Sequence, residues 1–419
     1  MKGGPLAWIV GVGIVLPMFF TLSGGLYQSS KVLTDSGGVI MALPLPLSVL
    51  ISTVAILCCF HRIRKARISV ETIVGLVLVL AISCVMAAEH DIKPDRKLLA
   101  SLQVILPFSG LLVGQMLVDR GNSVAKSFLV VLTLVVPFQL FGSMGDSPWL
   151  NSNSFLSDQV AFFTIYSHVQ FVTVIFVCAF AYAVGHLFDK FRWWLLGLCV
   201  LMLFYALKSW SYLTLAGYIC VILALLISRG YLTARNLKYS LAAFAVVVAA
   251  LMLTRSFERE ESRSGLLWNL TGATYSKFVP LLQGKVPQNL QERLVDWERF
   301  GKGVLESPKT ILVGHAEPMP REVRSSAHNW YIDTAYTFGV VAVLPVLGLL
   351  LYSGGLCWAY RRSVPPQTWW LVGIVFYLVV IDSNFKVTLR QPYPGIFAFF
   401  MWGLLLARLD EIRRSSSKH

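Results

Sequence analysis

Apolar runs of about 18 to 22 residues recur along this chain, and short polar segments separate them. Runs of that length cross the hydrocarbon core of a bilayer as helices, whose backbone hydrogen bonds are all internal. The runs are continuous, without the alternation of barrel strands. The pattern predicts an all-α polytopic membrane protein. We predict about twelve spans, beginning near Ala7, Val39, Ile68, Leu99, Ser127, Val160, Trp193, Leu213, Tyr239, Trp330, Trp369 and Gln391.

The placement of lysine and arginine orients these spans. The predicted inner loops, the C-terminal tail and Lys2 carry 18 of the 36 basic residues, whereas the short outer loops carry seven. By the positive-inside rule, both termini are therefore cytoplasmic. The predicted organisation is nine spans in residues 1–254, a large outer loop with amphipathic helices in 255–328, three spans in 329–408 and a cytoplasmic tail in 409–419.

Composition agrees with this pattern. The 419-residue chain is 56% hydrophobic and 14% charged, and its mean hydropathy is +0.66. A soluble domain cannot bury that much apolar surface. The net charge of +14 is interpreted as anchoring charge on the anionic inner leaflet of a lipid bilayer, not as a nucleic-acid footprint. All seven cysteines fall in apolar runs, without metal-site spacing. We therefore expect neither a metal nor a cofactor.

The outer loop contains an amphipathic helical pattern from Leu290 to Leu305, which Ser307–Pro308 ends. Such a helix is expected at the membrane surface, over a cavity between the spans. By periodicity Arg293 on this helix is a solvated residue, a surface anchor or a partner in a salt bridge. The expected apolar face holds Leu290, Leu294, Trp297, Phe300, Gly301 and Val304, and the polar face holds Glu292, Asp296, Glu298, Arg299 and Lys302.

The strongest candidate for chemistry is the segment Ala327–Asp333, where the outer loop meets the next span. Histidine changes its charge near neutral pH, so His328 is suited to accept a proton from a hydroxyl group. Asn329 and Asp333 are close enough in sequence to orient it. Tyr331 and the neighbouring Trp330 also fit an interfacial aromatic anchor, and this alternative stays open.

Two further basic residues lie at predicted outer ends of spans. Arg390 closes the polar segment Asp382–Arg390, and it either faces water and holds an anion or snorkels to the interface. Lys208 lies beside Trp210 and Tyr212, which together are typical of an interfacial belt. His315, in a turn of the loop, is expected to be exposed.

Several short motifs in the loop and the span that follows it resemble the O-antigen ligase/polymerase superfamily. That family carries an R-L-x-x-W helix, an n-P-x-x-G-x-G turn and an H-N-x-Y-L segment in its largest periplasmic loop. The matching residues are Arg293, Leu294, Trp297, Phe300, Val304–Pro308, Leu312–Gly314, His328, Asn329, Tyr331, Phe338 and Gly339. The match covers about 60 residues closely, and the hydropathy pattern agrees along the whole chain.

The resemblance implies a bacterial inner-membrane glycosyltransferase with a periplasmic active site. Such enzymes move a glycan from undecaprenyl pyrophosphate to an acceptor sugar hydroxyl without a metal. Ligases use lipid A–core oligosaccharide as the acceptor, and polymerases use another lipid-linked repeat unit. Carried over by motif, His328 matches the proposed general base and Arg293 the proposed pyrophosphate ligand. Arg390 is a looser match to a basic residue, and Asn329, Tyr331 and Trp297 are expected to line the substrate site.

One departure bears on the choice between ligase and polymerase. The ligases usually carry a second arginine in a T-x-[ST]-R segment before the large loop, where this chain reads Leu207–Tyr212, with Trp210 near the expected position. Lys208 is the available replacement, as a point charge with less geometric control. We expect an O-antigen ligase, with polymerisation as the alternative. A lipid-linked glycan flippase or transporter, or a scaffold of an export complex, is the non-enzymatic alternative.

Overall fold

The computed structural model describes residues 4–19, 45–66, 74–82, 94–142, 169–208, 212–228, 286, 288–315, 319, 326–390 and 392–416. Every regular element in these ranges is helical, which confirms the all-α prediction for this part of the chain. The predicted ninth span lies outside the described residues. So do the start of the predicted sixth span and residues 255–285 of the predicted outer loop.

In the described ranges, eight α-helices precede residue 255. They are α1 (Gly4–Val15), α2 (Leu45–Cys59), α3 (74–82), α4 (Pro94–Met116), α5 (Gly121–Gly142), α6 (Val169–Asp189), α7 (Trp193–Lys208) and α8 (Tyr212–Ser228). The starts predicted near Ala7, Trp193 and Leu213 fall at or near the beginning of α1, α7 and α8.

The remaining helices carry the loop and the last spans. They are α9 (Gln288–Val304), α10 (Pro308–Val313), α11 (Trp330–Phe338), α12 (Val340–Ala359), α13 (Pro366–Phe376) and α14 (Pro392–Ser416). Helix α13 continues through a π-helical turn, Tyr377–Asp382, to a last short turn, Ser383–Phe385. The spans predicted near Trp330, Trp369 and Gln391 correspond to α11–α12, α13 and α14.

Two helices in the described ranges are long and apolar enough to cross a membrane, Val340–Ala359 and Pro366–Phe385. The described residues do not show the predicted twelve. Five shorter apolar helices accompany them, at Pro5–Phe19, Ile105–Met116, Val174–Leu187, Trp193–Ala206 and Leu213–Leu226. Along α12 an exposed apolar stripe runs through Leu344, Leu347, Leu351 and Trp358. Such a stripe is expected of a helix that faces lipid or another apolar partner.

Helix α14 is the central helix of the bundle, and its first four turns are buried on all sides. It packs along α4 with close backbone contact. A Cβ atom on Gly114 would lie 2.2 Å from the Phe400 carbonyl oxygen, and one on Gly403 would lie 2.1 Å from that of Leu111. On its other side, Trp402 Nε1 donates a 2.9 Å hydrogen bond to Ser353 Oγ of α12. These contacts fix where α14 begins, and so fix the segment that joins it to α13.

The loops with predicted cytoplasmic charge meet at one end of the bundle. Arg408 Nη2 near the end of α14 donates to the Val118 carbonyl oxygen between α4 and α5, at 3.3 Å. Tyr182 on α6 donates its hydroxyl to Asn122 Oδ1 at the start of α5. The end of α13 and the start of α11 lie at the opposite end, where the sequence predicts the candidate site.

Candidate functional site

The candidate site is built around the end of α13 and the connector to α14, of which residues 386–390 are described. This stretch is dense in polar side chains although it follows an apolar helix. A π-helical turn precedes it, and a 3₁₀ turn, Thr388–Arg390, ends it. π-helical turns are frequent at functional sites because they widen a helix locally.

Asp382 organises the connector from the last turn of α13. Its carboxylate is fully buried, and Lys386 Nζ lies 3.0 Å from Oδ1. Thr388 donates its hydroxyl to Oδ2 of the same carboxylate. The Lys386 side chain is itself only 7% exposed. A buried charge without a partner is costly, so this ion pair holds the connector against the end of the helix.

Asp333, on α11, holds the other basic residue of the connector. Arg390 Nη1 donates to Asp333 Oδ2, and the Ala327 backbone N–H donates to Oδ1 at 3.2 Å. The Asp333 side chain is 4% exposed and the Arg390 side chain 22%. One buried carboxylate therefore joins the connector to the segment that precedes α11.

Asn329 is the N-cap of α11 and also binds α13. Its Oδ1 accepts the backbone N–H groups of Tyr331, at 2.9 Å, and Ile332, at 3.2 Å. Its Nδ2 donates to Asn384 Oδ1 at 3.0 Å. Asn384 in turn donates to the Val380 carbonyl oxygen. The residue next to His328 is thus fixed to the last turn of α13.

His328 has a backbone φ of 52°, and among the described residues it is the one non-glycine with a positive φ. Its N–H donates to Ser326 Oγ at 3.1 Å, and the residue is exposed. Non-glycine residues in the left-handed region are uncommon, and they cluster at functional sites when surrounding contacts hold them there. The contacts of Asn329 and Asp333 supply that restraint through the backbone on either side of the histidine.

Helix α9 brings Arg293 to the same place. Arg293 Nη1 donates to the Phe385 carbonyl oxygen at 2.8 Å. Burial lowers the pKa of the Arg293 guanidinium from its ordinary value, while the nearby Asp382 and Asp296 carboxylates act in the opposite direction. We refer to Arg293, Asp333, Asp382, Lys386 and Arg390 as the α13-end cluster.

The predicted faces of α9 were partly wrong. Asp296, expected on the polar face, is buried at 2% exposure, and Leu294, expected on the apolar face, is 48% exposed. Phe300 and Val304 are buried as predicted. The face that packs therefore includes Arg293, because its guanidinium finds a carbonyl and two carboxylates there. Arg293 is therefore half-buried, with a carbonyl oxygen as its hydrogen-bond partner.

Trp297 and Tyr331 pack against the end of α13. The Trp297 ring lies 6.0 Å from the Phe385 ring. Its Nε1 is buried and makes no hydrogen bond within the described ranges. The Tyr331 hydroxyl donates to the Val379 carbonyl oxygen at 2.7 Å. Lys208 is the last residue of α7, and its side chain lies outside the described part of the structure.

Two glycines attach the outer-loop helices to the spans. Gly314 follows α10 and Gly339 separates α11 from α12, with φ of 72° and 77°. Their backbones touch, because a Cβ on Gly339 would lie 2.0 Å from the Leu312 carbonyl oxygen and one on Gly314 would lie 2.6 Å from Gly339 N. Only glycine combines a left-handed φ with this approach at little cost.

His315 reinforces this attachment, contrary to the expectation that it is exposed. Its ring stacks on Tyr336 at 4.3 Å, and Nε2 lies 3.0 Å from the Gly303 carbonyl oxygen. Its backbone N–H donates to the Tyr336 carbonyl oxygen at 2.9 Å. No sequence spacing indicates this role, since Tyr336 lies 21 residues further along the chain, in α11.

The structure thus brings Arg293, Trp297, Asn329, Tyr331 and Arg390 to the end of α13 and its connector, and His328 precedes Asn329 in the chain. Sequence reasoning missed Asp382, Lys386 and Asn384 as members of the same site. The signal that was present is the run of polar residues immediately after an apolar span. A cavity of about 790 Å³, lined in part by Asn122, His186 and Arg408, lies at the opposite end of the bundle and contains none of the predicted site residues.

Chemically, the site offers guanidinium N–H groups for an anion and a histidine for proton transfer. In the part of the chain that the structure describes, no group of three or more His, Cys, Asp or Glu side chains is placed to hold a metal ion.

Comparisons with known proteins give no family assignment. No protein-family model matches the chain, and no curated protein is significantly similar to it. A functional proposal therefore depends on the quoted motifs and on the geometry of the α13-end cluster.

The double role of Asn329 gives a prediction that is independent of function. Asn329→Ala removes the N-cap and the contact to Asn384, which we expect to destabilise the start of α11 by about 1 kcal/mol or more. Hydrogen–deuterium exchange of the Tyr331 and Ile332 amides is expected to be faster in this variant. Asn329→Asp keeps the capping oxygen and is expected to leave these amides protected. Unchanged exchange in Asn329→Ala would show that the cap is unimportant.

Proposed function

We propose that this chain is an inner-membrane glycosyltransferase that moves a glycan from undecaprenyl pyrophosphate to an acceptor sugar hydroxyl. The leading version is an O-antigen ligase that acts on lipid A–core oligosaccharide. The observation that carries the proposal is the convergence of the His328 segment and Arg293 on the end of α13, through Asn384 and the Phe385 carbonyl. The two motifs that carry the resemblance thereby contact neighbouring residues, Asn384 and Phe385, which supports the proposal that they act together.

The proposed topology has about twelve spans, both termini in the cytoplasm and the loop 255–328 in the periplasm. Two observations support it. Arg408, at the start of the tail that the charge rule assigns to the cytoplasm, contacts Val118 beside the predicted inner loop Asp119–Lys126, and Tyr182 on α6 contacts Asn122 in that loop. The contacts of Arg293 and Arg390 join segments that the rule assigns to the opposite side. The exposed apolar stripe of α12 is the expected lipid-facing surface.

In the proposed reaction, the acceptor oxygen bonds to the anomeric carbon of the glycan as the bond to the pyrophosphate oxygen breaks. The acceptor hydroxyl loses its proton to His328, and undecaprenyl pyrophosphate departs with both bonding electrons. A positioned base of this kind contributes about 10²- to 10⁴-fold to a rate. The left-handed backbone of His328 and its restraint by Asn329 and Asp333 fit a side chain that must be held in place.

The departing pyrophosphate gains negative charge, which Arg293 and Arg390 are suited to stabilise. Arginine presents a planar fork of donors that matches phosphate oxygens, and it is worth more in a half-buried site than in open water. Lys208 is proposed as a secondary anion contact. Tyr331 and Trp297 are proposed to shape the site, because both already pack on α13.

The second candidate is a polymerase that joins lipid-linked repeat units. It is favoured by one observation, the absence of the second arginine of the ligases from the segment Leu207–Tyr212. The two functions share the base and the pyrophosphate contacts, and they differ in the acceptor. A flippase or scaffold needs neither, and so would tolerate the loss of His328.

A reconstituted transfer assay tests the role of His328. Purified protein, with EDTA present, is supplied with undecaprenyl-pyrophosphate glycan and either lipid A–core or no other acceptor. Transfer to lipid A–core identifies a ligase, and elongation of the donor alone identifies a polymerase. His328→Ala is expected to lower the rate at least about 100-fold in either case. The matched control His61→Ala, an exposed histidine between α2 and α3, is expected to be fully active. Wild-type activity in folded His328→Ala would contradict the general-base role.

The second prediction concerns Arg293. Arg293→Ala is expected to lower the rate about 100-fold, because a preorganised donor to the developing charge is lost. Arg293→Lys is expected to recover less than about tenfold of this, since an ammonium group cannot replace a fork of donors. Lys302→Ala removes an exposed cation of the same helix, which pairs with Glu298, and is expected to have no effect. Equal losses in Lys302→Ala and Arg293→Ala would reduce Arg293 to a general charge effect.

A further inference from the structure

Both carboxylate oxygens of Asp333 accept hydrogen bonds. The two donors belong to segments that have different roles in the proposed function. Oδ2 accepts from Arg390, a proposed pyrophosphate contact, and Oδ1 accepts from the Ala327 N–H, next to the proposed base His328. The carboxylate is almost completely buried, and it lies in the first turns of α11. The helix therefore fixes the position of the carboxylate, and its two hydrogen bonds fix Arg390 and the Ala327 backbone relative to it.

Arg390 keeps donors that this contact does not use. A guanidinium group has five N–H donors. Nη1 binds Asp333, whereas Nη2 and Nε make no hydrogen bond to any of the described residues. The side chain is 22% exposed, and a small recess lined by Asp333, Arg390 and Trp330 adjoins it. Among the described residues, the contact with Asp333 therefore occupies only one of the three guanidinium nitrogens of Arg390.

We propose that Asp333 is a positioning residue for glycan transfer, acting as the resident counter-ion of Arg390 while it fixes the backbone next to His328. This inference rests on the proposed function and deepens it. Asp333 keeps the Arg390 guanidinium and the base His328 at a constant distance from each other. The pyrophosphate and the acceptor hydroxyl are thereby held in a fixed relative position. It takes no proton and contacts no reacting atom.

A carboxylate in this position has a second consequence, which an amide would lack. Its negative charge lies against the cation that receives the pyrophosphate, so it opposes the binding of donor and of the departing undecaprenyl pyrophosphate. Asp333 thus weakens ground-state binding of the pyrophosphate and favours release of the product. Turnover and affinity are expected to respond to its removal in opposite directions.

The test uses Asp333→Asn, which keeps the shape and the acceptor for the Ala327 N–H and removes the charge. Binding of radiolabelled undecaprenyl pyrophosphate to the purified full-length protein is measured alongside turnover in the transfer assay. We expect Asp333→Asn to bind the lipid about tenfold more tightly and to turn over at least about tenfold more slowly. Asp333→Glu keeps the charge but displaces it, and is expected to slow turnover without tightening binding.

Three further variants separate positioning from general structural damage. Arg390→Gln is expected to weaken lipid binding, and in Asp333→Asn/Arg390→Gln the tightening is expected to vanish, because it acts through Arg390. Asp410→Asn is the matched control. Asp410 is also a buried carboxylate that pairs with arginines, Arg413 and Arg414, but at the other end of α14. This variant is expected to bind and turn over as the wild type does.

Weaker lipid binding by Asp333→Asn, or tightening that persists without Arg390, would overturn the proposal. Wild-type turnover in Asp333→Asn would also overturn it while leaving the proposed function intact. Failure of the wild-type protein both to bind the pyrophosphate lipid and to transfer glycan would instead contradict the proposed function itself, and the positioning role with it.

Discussion

Two buried carboxylates, Asp333 and Asp382, determine the geometry of the candidate site. Each lies on a helix and holds a basic side chain from the same short connector, Arg390 and Lys386 respectively. Removing one partner of a buried ion pair costs about 3 to 5 kcal/mol, because the other charge is left uncompensated. The connector therefore cannot move away from α11 and α13 without exposing these charges to solvent or leaving them buried without a partner. Since the connector leads directly into α14, the central helix of the bundle, the pairs also tie the site to the core.

The outer-loop helices depend on this framework. Arg293 attaches α9 to the Phe385 carbonyl, a group that the end of α13 leaves free of helical hydrogen bonding. The contact of Gly314 with Gly339 and the stacking of His315 on Tyr336 attach the end of α10 to α11 and to the break before α12. An amphipathic surface helix alone has no reason to adopt one orientation. Here the contact of Arg293 with the end of α13 and the contact of Gly314 with Gly339 fix the orientation. Both contacts place α9 and α10 beside the α13-end cluster.

Local sequence pattern predicts much of the fold and part of the site. Apolar runs place α12, α13 and α14, and the Asn329–Trp330 boundary predicts the start of α11, because these depend on neighbouring residues alone. The predicted polar and apolar faces of α9 were partly wrong. Periodicity treats Arg293 and Asp296 as solvated, whereas both have partners on the packed face. The Asp333–Arg390 pair joins residues 57 positions apart, and no spacing rule connects them. Tertiary contacts of this kind are what the sequence does not reveal, and they are what assembles the site.

The most direct test of this account is a cryo-electron-microscopy map of the protein with undecaprenyl pyrophosphate bound. The account predicts density for the two phosphates against the guanidinium groups of Arg390 and Arg293, beside His328, at the end of α13. The polyprenyl chain is predicted to leave the site between the helices toward the lipid. Pyrophosphate density in the cavity at the opposite end, near Asn122, His186 and Arg408, with the α13-end cluster unchanged, would contradict it.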